Sequence, residues 1–353
     1  MLRFARTSLS ACRRACSPGR TSATAAAITL TTLPIMPSLL SLLPQRLERA
    51  ILSTIKAHSL GRRAYNALCW HPHSFGRRQA LRPWLRSLVT TSCVHVAADG
   101  RATATPRDAL PPRRGVRIVA ISDTHNLHGD LRQVPDGDVL IHCGDGLRRG
   151  GDEDAVRALG RWLASQPHAV KVVTGGNHDA TLERLSRERV AELLGTGVHF
   201  AVNEGVKVEG IRIFVSPYSN ANSARSPNRA FQGDDVLEEL RATLPAFAKD
   251  GLDVFVSHGP PAGILDKGAG SDALAELVRD TKPRYHIFGH QHNCFGTIVK
   301  GRTCFVNASS TDGLFALCKP PLVVDVVADA AAMAPSESFF DVDYMRGRLA
   351  LVS

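Results

Sequence analysis

The chain has 353 residues, 44% hydrophobic and 22% charged, the balance of a globular protein long enough to bury its own core. Its formal net charge of +10 is held unevenly: residues 1–100 carry fourteen Lys/Arg against two acids, Glu48 and Asp99, and the rest carries 29 against 31. Nucleic-acid binding needs basicity within the folded part, so global charge gives it no support, and eight cysteines without a CxxC pair argue against a disulfide scaffold.

Residues 1–20 hold Arg3, Arg6, Arg13, Arg14 and Arg20 among Ser, Ala and Cys, with no acid. That texture fits an organellar transit peptide, mitochondrial or plastid. Residues 21–45 carry no charge, long enough for a membrane anchor, although Pro34 and Pro37 interrupt them. A poorly ordered extension is the third reading. Residues 1–113 show no clear hydrophobic period and are set aside as a leader.

From Gly115 the texture changes. VRIVAIS (116–122), DVLIHC (138–143) and AVKVVT (169–174) are β-branched apolar runs, the signature of buried strands. IRIFVS (211–216), LDVFVS (252–257) and YHIFG (285–289) repeat it. Helical patterns lie between them at 152–165, 179–194, 234–248 and 271–280. Short strands follow at 297–299, 304–307 and 322–327; 328–338 reads as a linker, and 339–353 as a strand pair or tail. Alternation of this kind predicts an α/β layered domain over 114–327, with antiparallel pairing late in the chain.

Each of five strands runs into a polar cluster at its carboxyl end, where ligands bind in α/β sheets. The clusters are Asp123-Thr124-His125, Gly144-Asp145, Gly175-Gly176-Asn177-His178-Asp179, Ser257-His258-Gly259 and Gly289-His290-Gln291-His292. They offer only imidazole, carboxylate and amide donors, which suit Mn, Fe, Zn and similar divalent ions. No cysteine joins them, which speaks against a structural zinc site. They supply more donors than one tetrahedral ion needs, so two ions sharing a ligand are expected.

Read as motifs, SDTH, GDGLRRG, GNHD, SHGP and GHQH resemble the series of the calcineurin-like metallophosphoesterase superfamily over about 115–327. FGHQHNCFG followed by VNAS (306–309) resembles the branch of metallophosphoesterase-domain-containing proteins. The resemblance implies a four-layer α/β/β/α sandwich of two mixed sheets. It implies that Asp123, His125 and His292 hold one metal, that Asn177, His258 and His290 hold the other, and that Asp145 bridges them. A carboxylate suits the bridge because imidazole has one lone pair to give. His178 would not ligate but would stand over the substrate and protonate the leaving oxygen. Asp179 reads as the start of the following helix.

The expected activity is metal-dependent hydrolysis of a small phosphoester, with a phosphodiester of nucleotide-like kind favoured and water activated between the two ions. A binding or scaffold protein that keeps the fold is the alternative. The Ser/Thr protein phosphatases of the superfamily carry an Asp-Arg pair where this chain has Arg148-Arg149, which disfavours that activity; a nuclease needs a basic groove, to which the slightly acidic balance beyond residue 100 lends no support. No nucleic-acid partner is expected, and a membrane is expected only if 21–45 acts as an anchor.

Overall fold

The computed structural model describes residues 89–148, 152–313 and 315–327, with the backbone of 336–339; all lie within one compact unit, 82–353. The leader motifs at 1–20 and 21–45, Arg149 and the tail beyond 339 lie outside the described residues. Among the described residues no helix is long and apolar enough to cross a membrane.

In chain order the strands begin with β1 (Ser92–Val96), β2 (Ala102–Pro106), β3 (Val116–Ile121), β4 (Val139–His142) and β5 (Val170–Val173). They continue with β6 (His199–Phe200), β7 (Glu204–Val208), β8 (Ile211–Val215), β9 (Val254–Val256) and β10 (Tyr285–Phe288). The last are β11 (Gly296–Lys300), β12 (Thr303–Asn307), β13 (Leu322–Val326) and β14 (Ser336–Phe339). The helices are α1 (Glu153–Ala164), α2 (Ala180–Arg184), α3 (Arg187–Leu194), α4 (Asp234–Ala248) and α5 (Asp272–Thr281).

One seven-stranded sheet runs β2-β1-β13-β3-β4-β5-β6 and the other β14-β11-β12-β10-β9-β8-β7. Parallel pairing joins β3 through β6 and, in the second sheet, β8, β9, β10 and β12. Antiparallel strands flank both sets. Alternation sorts the side chains. Ile118 and Ala120 of β3 pack with Val254 and Val256 of β9 and Ile287 of β10 between the sheets. Val119 and Ile121 face the other way, onto Leu159 and Leu163 of α1 and Val190 of α3. On the far side, Phe255 and Phe288 pack with Leu240 and Leu244 of α4 and Leu274 of α5. Strands covered on both faces read as continuous apolar runs. The result is the expected α/β/β/α four-layer sandwich of two mixed sheets.

The domain boundary at 114 needs correcting. β1 and β2 lie upstream of it, and β1 pairs in parallel with β13, Val94 opposite Leu322. Cys93, Val94 and Val96 are buried. These five-residue strands escape a periodicity reading because Ala and Thr dominate β2 and Asp99-Gly100 separates the pair. The linker expected at 328–338 ends in β14, which pairs with β11, Ser336 opposite Val299.

The helix expected over 179–194 is two helices. Leu185 is extended, and the Ser186 hydroxyl accepts the Arg189 N–H, restarting the helix as an N-cap. α1 and α5 open as their sequences suggest: Asp152 caps the Ala155 N–H, Glu153 and Asp154 fill the first turn, and Ser271 caps the Leu274 N–H.

Candidate metal centre

The carboxyl ends of β3, β4, β5, β9 and β10 converge, and all seven predicted ligands meet there. Asp123, His125, Asp145, Asn177 and His258 are buried, and His290 and His292 are half-buried. Asp123, His125, Asp145 and His290 all take left-handed backbone, with φ between 44° and 64°. Non-glycine residues in that region store strain that clusters at functional sites. Close approach explains two of the motif glycines. A Cβ on Gly176 would collide with the Asp145 carboxylate, and one on Gly289 with Ser122 and the Asp123 carboxylate.

The donors fall into two groups. In the first, His125 Nε2 lies 3.2 Å from His292 Nε2, and His292 Nε2 lies 3.3 Å from Asp123 Oδ1. In the second, Asn177 Oδ1 lies 3.1 Å from His258 Nε2 and 2.8 Å from His290 Nδ1. Asp145 stands between them. Its Oδ1 is 3.5 Å from His258 Nε2 and its Oδ2 is 3.9 Å from His125 Nε2. Asp123, His125, Asp145 and His292 alone bring four donor atoms within 4.8 Å of one another.

Backbone carbonyls set the tautomers. His258 Nδ1 donates to Cys143 O at 2.9 Å, His292 Nδ1 to Asp312 O at 2.9 Å, and His125 Nδ1 to Leu147 O at 3.3 Å. With Nδ1 donating to a carbonyl, each ring in its neutral form would turn the Nε2 lone pair inward, the arrangement that orients metal-binding histidines. Lone pairs of His125 and His292 facing each other across 3.2 Å repel unless a cation lies between them. The donor set fits divalent metal: only nitrogen and oxygen, and two formal negative charges among seven side chains.

Charge in the nest follows the same logic. Burial works to raise the Asp145 carboxyl, but His258 and His178 outweigh it and hold it well below the usual range. Burial pushes His258 down, yet the Asp145 carboxylate lifts it to about 9. Burial lowers His178 and His125, and takes His290 to about 3.

His178 lies beside the nest, not in it. Its backbone N–H donates to Asp145 Oδ1 at 2.8 Å, its Nε2 is 3.9 Å from Asp145 Oδ2, and Asn228 Nδ2 approaches that Nε2 to 3.3 Å. Phe315 packs its ring against His125 and His292, with centroids 4.7 and 5.1 Å away.

Asp179 does more than begin a helix, and its side chain makes no cap hydrogen bond. One carboxylate oxygen accepts the Leu147 N–H at 2.8 Å, the other the Gly176 N–H at 2.9 Å. It thereby ties the loop of Asp145 to the loop of Asn177. Burial and the neighbouring Asp145 push its carboxyl up to about 8.

Sequence reasoning also passed over the residues behind the donors. Ser309 donates to Asp123 Oδ2 at 2.7 Å, and the Thr311 hydroxyl donates to Asp123 O at 2.9 Å. The buried Lys319 ammonium donates to the carbonyls of His292 and Thr311. The VNAS run that ends in Ser309 was the available signal. The sequon it contains is buried, with Asn307 fully enclosed.

The profile of the calcineurin-like phosphoesterase family matches residues 116–294. Metallophosphoesterase domain-containing protein 1 of Homo sapiens is 33% identical over 250 residues, covering 63% of this chain and 74% of that protein. UPF0046 protein C25E10.12 of Caenorhabditis elegans is 31% identical over 238 residues, covering 60% of this chain and 81% of that protein. The chain belongs to the calcineurin-like phosphoesterase family, in the branch of the metallophosphoesterase domain-containing proteins.

Proposed function

We propose that the chain is a phosphoester hydrolase that works with two divalent cations and acts on a small phosphodiester of nucleotide-like kind. Asp123, His125 and His292 hold one ion, Asn177, His258 and His290 hold the other, and Asp145 serves both. Two such ions, when bound, would neutralise the phosphoryl oxygens and acidify a bound water. The single observation that carries this reading is the approach of His125 Nε2 and His292 Nε2 to 3.2 Å, with both Nδ1 atoms within hydrogen-bond distance of backbone carbonyls.

The chain's own residues then divide the remaining work. Asn177 gives a neutral oxygen, so the nest keeps a positive balance once two dications are held, and a phosphate anion is drawn in. The Asp145 carboxylate accepts the His178 N–H and so fixes the loop of His178. His178, whose Nε2 lies 3.3 Å from Asn228 Nδ2, is the residue assigned to exchange a proton with the departing oxygen. Manganese, iron and zinc all suit this donor set.

The test is metal content together with turnover of bis-p-nitrophenyl phosphate and p-nitrophenyl phosphate after addition of manganese. About two ions per chain and faster cleavage of the diester support the proposal. Fewer than about one ion per folded chain would favour a binding protein that retains the fold.

A further inference from the structure

A cleft of about 410 Å³ opens on the outer face of the second sheet, between α5 and the β11–β12 hairpin. Its size lies at the lower end of small-molecule sites. Ala275, Val278, Arg279 and Lys282 line it from α5, a stripe at i, i+3, i+4 and i+7 on one helix face. The stripe is polarised. Toward the start of α5 the walls are Pro261, Ile264 and Ala275, with Val278 and Phe305 beneath. Toward its end stand Arg279 and Lys282, joined across the cleft by Lys300 and Arg302 of the hairpin turn.

No acid is among the twelve lining residues, although acids slightly outnumber bases beyond residue 100. All four cations are exposed, and none enters an ion pair among the described residues. Arg279 and Lys282 complement the carboxyl end of the helix dipole. That account does not reach Lys300 and Arg302, which lie on a different element. Lys282 also takes left-handed backbone at φ 49°, a C-terminal position where glycine is the usual residue.

We propose that this cleft binds a small amphiphilic anion, its apolar body lying along α5 and its carboxylate or phosphate head among the four cations. The complementarity is spatial as well as chemical. Ala275 and Lys282 are seven residues apart, about 10 Å along the helix axis, the reach of a short acyl chain or aryl group. A concave floor takes an inserted group from solution; a surface built to enter a bilayer would project its apolar residues.

Calorimetric titration of the full chain with decanoate tests this, with inorganic phosphate and decyltrimethylammonium as comparison ligands. Saturable one-to-one binding of decanoate is expected, with neither comparison ligand binding at the same site. Affinity should fall at least about tenfold, or 1.4 kcal/mol, in Lys300→Glu/Arg302→Glu, and again in Ala275→Glu, which closes the apolar end. These positions are exposed or half-exposed, and an unchanged melting temperature confirms that the variants fold. Binding of phosphate as tight as that of decanoate would overturn the proposal, reducing the cleft to a charged patch. So would unchanged affinity in the folded variants, or association with anionic vesicles but not with decanoate monomers. Hydrolysis is not read, so the outcome is independent of the activity at the metal centre.

Discussion

Asp179 and Leu147 are joined through the Leu147 N–H, which the Asp179 carboxylate accepts at 2.8 Å, and the carbonyl of the same Leu147 accepts His125 Nδ1 at 3.3 Å. A residue that touches no inward-facing donor atom thus aims one. Asp179→Asn keeps the shape but turns an N–H toward either the Leu147 or the Gly176 amide. One buried donor loses its acceptor, at about 1–3 kcal/mol. Manganese affinity should weaken roughly ten- to hundredfold, as for other residues that orient a ligand. Thermal melting and metal titration check both. Full affinity in the variant would show that the Leu147 loop holds itself.

Among the described residues, Asp145 is the carboxylate with an oxygen toward each donor group. Asp145→Asn should reduce bound metal from about two ions to one or none per chain. Diester hydrolysis should fall by at least about a hundredfold, since the shared ligand is lost along with its charge. Elemental analysis alongside turnover separates this from simple unfolding.

Stability should depend on pH through histidines remote from the centre. Burial holds His286 down at about 3 and His168 at about 4. The folded pKa of each lies below its unfolded value of about 6.5, so the unfolded chain binds the extra proton in between. Stability is therefore complete above about pH 6.5 and is lost as the pH falls toward 4, at about 1.4 kcal/mol per pH unit for each group in its window. His286 stacks on Phe255 with centroids 4.6 Å apart, so His286→Phe keeps an aromatic ring there while removing the nitrogen that lies 2.8 Å from the Ser257 hydroxyl. It should flatten the slope by one group's share, read from urea midpoints at pH 7, 5.5 and 4.5.

The upstream boundary has a direct consequence. A chain beginning at residue 114 loses β1 and β2, and with them the buried Cys93, Val94 and Val96. It also strips Asp325 of His95, 3.1 Å away, while Arg117 remains. Each buried apolar side chain contributes roughly 1.5–3 kcal/mol, together a large part of a typical domain's stability, and the β13 edge is laid bare. Such a chain should be aggregation-prone, whereas one beginning at 82 should be soluble. Size-exclusion chromatography of the two distinguishes them.

The chemistry of the donors was legible without coordinates because each lies directly after an apolar run. In a parallel α/β sheet such runs end on one side, so polar residues in those places must meet. The continuous apolar strands likewise implied buried strands in an α/β layered domain, while the sandwich of two sheets followed from the resemblance of the motifs. Three things were decided by tertiary structure. β1 and β2 are too short and too mixed to declare themselves, and they become strands because β13 offers a partner edge. Leu185 is apolar at helical spacing, yet it is extended, and Ser186 captures the Arg189 N–H to start a new helix. Asp179, Ser309 and Lys319 matter through contacts with residues 32 or more away in sequence, or through carbonyls that no side-chain pattern records. Spacing along the chain reports which groups share an element, but which backbone amide or carbonyl a side chain meets is set only when separate loops are pressed together.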